Sequence, residues 1–239
     1  MHYAAPLSGS GPTDMPEPPK KRIAIVAALE REVRPLVKNW NVSEREHDGR
    51  RFRFFEKDDV VLVCGGVGAM PARRAAEAVV ALFAPEIVYS VGFAGALDSG
   101  LKVGDIMCPT KVINAADGSS VSMNECDGLL VSFGSVASPE QKKKLRDSFG
   151  AHAVDMEAAA VFHAAETRGI RFGAIKAISD ESDFDLPETE RFVDSEGRFS
   201  EVKFALFAAF RPWLWRRVFR LAKNSNRAAK SLCSCLKHL

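Results

Sequence analysis

Residues 60–92 have the sequence VVLVCGGVGAMPARRAAEAVVALFAPEIVYSVG, in which an apolar run, a glycine turn, a helix and a second apolar run follow one another. The first run is typical of a strand buried on both faces of a sheet, and Gly65–Gly68 ends it. Pro71 suits the first turn of a helix that reaches about Phe83, and Ile87–Val91 is the second buried strand. Strands that alternate with helices predict an α/β fold with a mostly parallel sheet.

The sequence that precedes and follows this segment extends the pattern. Ile23–Ala28 is another continuous apolar run, which predicts the first strand, and a helix is expected from about Glu30. Arg51–Phe55 alternates basic and aromatic residues, and turn residues separate it from Val60–Cys64, so these two runs predict a hairpin. A further strand is expected around Ile106.

The second half of the chain has fewer clear elements. Asn114–Gly134 has no recognisable periodicity. Val154–Arg168 has apolar residues at helical spacing and Gly169 suits its C-terminal end, so a helix is predicted there. Gly173–Ile178 is the last predicted strand. Ligands of such sheets bind beyond the carboxyl ends of the strands, so polar residues directly after strands are the candidates for function.

Charge is distributed unevenly along the 239 residues. Residues 211–239 hold eight of the 33 basic residues and none of the 31 acidic ones, which leaves 25 basic against 31 acidic residues elsewhere. This asymmetry predicts a mildly acidic body with a basic tail and argues against a nucleic-acid partner. Residues 1–20 are rich in Pro, Gly and Ser and are predicted to be a disordered extension. Five scattered cysteines suit reduced thiols in a cytoplasmic protein.

Three groups of acidic residues are the first candidates for chemistry. Glu30 and Glu32 follow the first strand, and Asp180 follows the last one. Asp155 and Glu157 stand at the start of the predicted helix. Acidic residues are favoured in the first turn of any helix, and Asp180 could belong to a solvated loop. Their joint position near strand ends favours a functional interpretation.

Other kinds of chemistry have weaker support. A dinucleotide-binding fingerprint would need a third glycine where Pro71 stands, so Gly65–Gly68 either cradles a phosphate or a ribose or forms a tight turn. The sequence has no G-x-S-x-G motif for a serine nucleophile, and its five histidines have no zinc-binding spacing. We therefore expect neither a metal nor a cofactor.

Five segments resemble the nucleoside phosphorylase and methylthioadenosine/S-adenosylhomocysteine nucleosidase superfamily in their order and spacing. They are AALERE (27–32), VGFAGAL (91–97), KVGDI (102–106), VDMEA (154–158) and AISD (177–180). The resemblance implies a three-layer phosphorylase-like sandwich with a mixed, mostly parallel central sheet over residues 21–200. It also implies a homo-oligomer that acts on a small-molecule purine nucleoside.

The resemblance assigns roles to individual residues of these segments. Asp180 would be the general acid that protonates or hydrogen-bonds N7 of the departing purine, with Ser179 in support. Glu157 would hold the ribose hydroxyls while positive charge builds on the sugar, and Met156 would pack against the ribose. Glu32 would orient and deprotonate the attacking water.

Further residues are implied in the substrate site. Asp155, Ala94 and Gly95 are expected to contribute to it, and Ser135–Ala137 are candidates for contacts to the base. Phe93 stands where relatives carry a small hydroxyl residue that contacts phosphate or water, so hydrolysis is favoured over phosphorolysis. The leading prediction is a nucleosidase that releases adenine from a 5′-substituted adenosine, and a purine nucleoside phosphorylase is the alternative.

Residues 201–239 are predicted to form an amphipathic, basic C-terminal extension. Large apolar residues lie among five basic ones between Phe204 and Lys223, a mixture typical of helices that rest in a membrane interface. The alternative is a helix that packs on the core and is followed by a solvated basic end. On the first interpretation the protein is peripheral at the inner membrane surface, and a catalytically inactive membrane-binding homologue is a third candidate function.

The sequence also resembles the hopanoid-associated branch of the same superfamily. That resemblance implies a lipid-linked nucleoside, adenosylhopane, as the substrate from which adenine is removed. Phe93 would then form a wall suited to an apolar substituent on the ribose.

Overall fold

The computed structural model describes residues 22–123, 127–185, 189–194, 196–209 and 211–239. The disordered extension predicted for residues 1–20 lies outside these ranges. The strands are β1 (Ile23–Ala27), β2 (Asn41–His47), β3 (Arg50–Lys57), β4 (Val60–Cys64), β5 (Ile87–Ala96), β6 (Ile106–Met107), β7 (Lys111–Asn114), β8 (Ser120–Ser122), β9 (Leu129–Ser132), β10 (Ala153–Asp155) and β11 (Arg171–Asp180). The helices are α1 (Glu30–Val37), α2 (Ala69–Phe83), α3 (Pro139–Phe149), α4 (Ala158–Glu166), α5 (Glu201–Ala209) and α6 (Trp215–Leu236).

The strands form one mixed sheet whose centre is parallel. β1 pairs in parallel with β4 on one side and with β5 on the other, and β5 also pairs in parallel with β11. The antiparallel strands β3 and β2 extend the sheet beyond β4, and β10, β9, β7 and β8 continue it beyond β5. The mixed, mostly parallel sheet expected from the sequence is confirmed. Its parallel strands β1, β5 and β11 have their carboxyl ends at one edge.

Helices cover both faces of the sheet, which confirms the three-layer sandwich. On one face, α2 and α4 pack against each other through small side chains that include Ala75 and Ala165. On the other face, α1 and α6 pack together, with Val33 and Leu232 in the shared core. Alternate side chains of β1 belong to the two cores, because successive side chains of a strand point to opposite faces.

The helix predicted over Val154–Arg168 begins later than expected. Val154 and Asp155 belong to β10, which pairs with β9 and with the end of β5, and α4 starts at Ala158. A three-residue strand carries too little periodicity to be separated from a helical turn. As a result, Glu157 is the residue that precedes the helix, next to the end of a strand.

The other differences from expectation are smaller. β5 continues past Val91 to Ala96, and Asn114–Gly134 contains β8 and β9. The polar edge strand β2 has no apolar alternation that would predict it. The first strand, the first two helices, the β3–β4 hairpin and the last strand are confirmed.

The C-terminal segment packs on the fold through its final turns. The second half of α6 is buried through Ala228, Leu232 and Leu236 against α1 and β11. Most residues from Pro212 to Arg227 are exposed, with Trp213 and Phe219 accessible to 73% and 70%. The expected alternative, a core-packing helix followed by a solvated basic end, therefore has the wrong order. None of the helices in the described part of the chain is long and apolar enough to cross a membrane.

Candidate active site

A cavity of about 400 Å³ opens at the carboxyl ends of β1, β5 and β11. Its volume lies within the range of small-molecule sites in proteins. The residues that sequence analysis assigned to the substrate site come from separate parts of the chain, and all of them line this cavity. They are Glu32, Phe93, Ala94, Gly95, Asp155, Met156, Glu157, Ser179 and Asp180, together with the base-contact candidates Ser135, Val136 and Ala137.

Glu32 lies in the first turn of α1 and is buried at the cavity wall. Gly92 makes room for it, since a Cβ at that position would lie 2.9 Å from Oε2 of Glu32. Burial and the nearby Glu157 carboxylate raise the pKa of Glu32 to about 7. A carboxylate with this pKa accepts a proton effectively near neutral pH. Glu30, in contrast, pairs with Arg53 at 3.1 Å on the surface, so Glu32 is the residue that faces the site.

Glu157 precedes α4, and backbone groups hold its side chain in place. The Gly68 N–H donates to Oε1 at 2.8 Å, and the Met156 N–H donates to Oε2 at 3.2 Å. Burial and the neighbouring Asp155 raise the pKa of Glu157 to about 6. Gly68 thus links the glycine loop to the site by fixing a carboxylate.

Asp155 is the centre of a buried polar network beside Glu157. The Lys176 Nζ lies 2.9 Å from Oδ2, and the Ala158 N–H donates to the same oxygen at 2.8 Å. The Ser132 hydroxyl donates to Oδ1 at 2.6 Å. Both oxygens of Asp155 are engaged by the protein, so this residue holds the turn that carries Glu157 in position at the cavity wall.

Lys176 is a buried cation of this network that the sequence analysis did not single out. Burial alone lowers the pKa of Lys176, but Asp155 and Glu157 outweigh that effect and raise it. The ammonium therefore balances part of the negative charge beside the cavity. A lysine within an apolar strand was the available signal, because such a side chain is buried only when it is paired.

Asp180 lies at the end of β11, where a register shift after Ile178 interrupts the pairing with β5. Irregularities of this kind change the direction in which the side chains of a strand point. The Ser179 hydroxyl donates to Oδ1 at 2.7 Å, and the Lys142 Nζ donates to Oδ2 at 2.5 Å. Gly95 leaves space for the pair, since a Cβ there would lie 2.9 Å from Oδ2 of Asp180. The carboxylate is therefore held in one position at the cavity wall.

Lys142 also lines the cavity, and sequence analysis missed it. It belongs to α3, whose first turn has a capping box formed by Ser138 and Gln141, and its ammonium also donates to the carbonyl of Glu181 at 2.7 Å. In the sequence it is the first of three consecutive lysines, a pattern that indicates a solvated face. The capping box was the available signal, because it fixes the start of the helix and places Lys142 on the same buried face as Leu145.

The rest of the cavity wall is largely apolar. Phe93, Val193, Phe199 and Leu221 line it, and the Arg31 guanidinium lies 4.8 Å from the centre of the Phe199 ring. Leu221 belongs to α6, so the C-terminal segment contributes to the site. Carboxylates beside an apolar wall suit a ligand that has both a polar, charge-developing part and a hydrophobic part.

Known proteins share this sequence pattern and this fold. Residues 22–132 and 127–210 match the phosphorylase superfamily. A 5′-methylthioadenosine/S-adenosylhomocysteine nucleosidase from Staphylococcus aureus is 28% identical over 196 residues, which cover 66% of this chain and 86% of the relative. A solved nucleosidase of the same description from Helicobacter pylori has a TM-score of 0.66 at 20% identity, over 92% of this chain and 99% of the other. The solved futalosine hydrolase from Helicobacter pylori has a TM-score of 0.65 at 20% identity, over 92% of this chain and 98% of the other.

Proposed function

Because the chain belongs to the phosphorylase superfamily, we propose that it is a nucleosidase, which hydrolyses the N-glycosidic bond of a 5′-substituted adenosine and releases adenine. The observation that carries the proposal is that Glu32, Glu157 and Asp180 line one cavity although they are far apart in the sequence. The Staphylococcus aureus relative is a nucleosidase named for two such compounds, which supports the same class of reaction.

The proposed reaction makes two demands on the site. The C1′–N9 bond breaks more easily when the purine receives a proton at N7, and the sugar gains positive charge as the base departs. Asp180 meets the first demand, and Glu157 meets the second because it places a carboxylate at the ribose hydroxyls. Glu32 takes a proton from water as the water oxygen bonds to C1′.

The charge of the cavity favours water over phosphate as the nucleophile. Among the described residues that line it, the basic side chains are those of Arg31 and Lys142. Lys142 donates to Asp180, so the Arg31 guanidinium over the Phe199 ring is the one cation among these residues whose N–H donors a phosphate could reach. Proteins bind phosphate through cationic donors that are available to it, and the Glu32 carboxylate would repel the dianion. This argument supports hydrolysis over the alternative phosphorolysis.

We further propose that the 5′ substituent is large and apolar. Phe93, Phe199 and Leu221 supply an apolar wall that a small thioether would cover only in part. A lipid-linked nucleoside such as adenosylhopane has this combination of a polar nucleoside and an extended hydrocarbon.

Adenine release from three nucleosides tests the proposal. The full chain is incubated with adenosine, methylthioadenosine and detergent-dispersed adenosylhopane, with and without phosphate, and free adenine is measured by chromatography. We expect release that does not depend on phosphate, with the highest kcat/KM for adenosylhopane. Rapid turnover of methylthioadenosine alone would rule out the lipid-linked substrate. Adenine release that strictly requires phosphate would indicate a phosphorylase. No adenine from any of the three would contradict the function itself.

We also propose that an exposed apolar surface of the C-terminal segment rests on an anionic membrane. The surface is formed by Val202, Leu206, Trp213, Trp215 and Phe219, all of them exposed. Residues 202–239 include no acidic side chain, so anionic lipid headgroups would attract this surface. Aromatic side chains favour the headgroup level of a bilayer. Since the same segment lines the cavity, a lipid-linked substrate would reach the site from the membrane.

Vesicle flotation tests this surface. We expect the full chain to float with vesicles that contain phosphatidylglycerol, more weakly with pure phosphatidylcholine, and less at high salt. The double substitution Trp213→Ser and Phe219→Ser should lower the partition coefficient about tenfold or more, because it removes most of the exposed aromatic area. Val42→Ser, which changes an exposed apolar residue of β2, is the matched control and should have no effect. Wild-type binding by the double variant would contradict the proposal.

A further inference from the structure

We propose that Lys142 is the source of the proton that reaches N7 of the purine, and that Asp180 relays it. The inference rests on the proposed function and deepens it. Both oxygens of Asp180 already accept hydrogen bonds, from the Ser179 hydroxyl at 2.7 Å and from the Lys142 ammonium at 2.5 Å. An ammonium has donors only, so Oδ2 of Asp180 accepts in this contact, and the buried ammonium is compensated by the charge of the carboxylate. Asp180 then has no proton of its own to give.

The position of Lys142 suits a proton donor that works through its neighbour. Its side chain is 2% exposed, and its ammonium donates to Oδ2 of Asp180 and to the Glu181 carbonyl. A buried ammonium is stable only while it is compensated. When Asp180 shares a proton with N7 of the departing purine, the ammonium loses part of that compensation. Transfer of a proton from Lys142 to Asp180 then becomes favourable.

The proton and electron balance of the step is complete without another reactant. One N–H bond of Lys142 breaks while Oδ2 of Asp180 gains a proton, and Asp180 passes a proton to N7, so the carboxylate is regenerated. The electron pair of the C1′–N9 bond stays with the purine. On the other side of the sugar, the water oxygen bonds to C1′ and Glu32 takes the water proton. Lys142 ends as a neutral amine and Glu32 as a neutral acid, and solvent returns the proton after the products leave.

Two substrates separate this role from a structural one. A purine needs a proton in order to leave, whereas 4-nitrophenolate leaves without one, so the adenine nucleoside is compared with the 4-nitrophenyl riboside that carries the same 5′ substituent. We expect Lys142→Met to lower kcat for adenine release about 100-fold or more and to change kcat for the nitrophenyl riboside less than about threefold. Lys143→Met, which changes the exposed neighbour, is the matched control and should leave both reactions unchanged.

Lys142→Arg distinguishes proton transfer from charge alone. Arginine keeps the positive charge and the donors but does not give up a proton, so we expect the same selective loss of adenine release. Recovery of adenine release by Lys142→Arg, or an equal loss on both substrates in the two variants, would overturn the proposal. Failure of the wild-type protein to cleave either substrate would instead contradict the proposed function.

A measurement on the wild-type protein keeps the inference testable even if these variants do not fold. The relay moves two protons that the nitrophenyl substrate does not require, while deprotonation of water is common to both substrates. We expect a larger solvent deuterium isotope effect on kcat for the adenine nucleoside, with a curved dependence on the deuterium fraction. Equal isotope effects on the two substrates would overturn the proposal.

Discussion

Asp180→Asn is expected to lower kcat/KM for adenine release by about 10³-fold, within the range that general acid catalysis contributes. Asparagine keeps the shape of the side chain but cannot pass a proton to N7, so the purine would have to leave as an anion. The Lys142 ammonium also loses its charged acceptor in the buried pair. Steady-state kinetics with the adenine nucleoside measures the loss, and the thermal midpoint shows whether the variant is folded.

Asp147→Asn is the control for this substitution, because Asp147 is an exposed aspartate of α3. It should retain wild-type kcat/KM. A folded Asp180→Asn variant with near-wild-type adenine release would show that N7 is not activated at this position. The assignment of Asp180 would then be wrong.

Glu32→Gln is expected to lower kcat by about 10²- to 10⁴-fold with little change in substrate binding. The amide has no basic oxygen that could take a proton from water. In the wild-type protein Glu32 must be ionised to act, so kcat/KM should fall as the pH drops through the pKa of about 7. Glu30→Gln is the matched control, because Glu30 lies two positions earlier and pairs with Arg53 on the surface. It should preserve both the rate and the pH profile.

Glu32→Gln should also stabilise the folded protein above neutral pH. Burial raises the pKa of Glu32 from 4.5 to about 7, so the protonated form stabilises the fold below pH 4.5 and that contribution is lost as the pH rises to about 7. Removal of the charge should therefore raise the free energy of unfolding at pH 8 by up to about 3 kcal/mol. A Glu32→Gln variant that is both active and no more stable would contradict the role of Glu32.

The carboxylates of the site were predictable from the sequence because each stands beside a recognisable element. Glu32 follows an apolar strand and Asp180 ends another, and the carboxyl ends of parallel strands meet at one edge. The residue pattern alone did not choose between Glu30 and Glu32, since the choice depends on which helical position faces the sheet, and only the family resemblance indicated Glu32. Gly92 and Gly95 decide how closely the carboxylates approach, through contacts that only the packed strands show.

The cations of the site were harder to predict. Lys142 lies in a run of lysines, and its burial follows from the packing of α3 over Asp180. Lys176 is compensated by Asp155, which lies 21 positions earlier in the sequence. The start of α4 was misplaced for a similar reason, because Val154 and Asp155 are held as a strand by distant partners. Local periodicity does not record such long-range pairing.

The fate of the oxygen at C1′ tests the central claim most directly. The full chain turns over its adenine nucleoside in ¹⁸O-labelled water that contains phosphate. The sugar product is reduced with borohydride at once, so that exchange of its anomeric oxygen with water adds no label, and mass spectrometry then measures the ¹⁸O content. If water activated by Glu32 attacks the sugar while the base departs, the product is a free sugar with one ¹⁸O at C1′. A sugar 1-phosphate, or a free sugar without the label, would contradict the account.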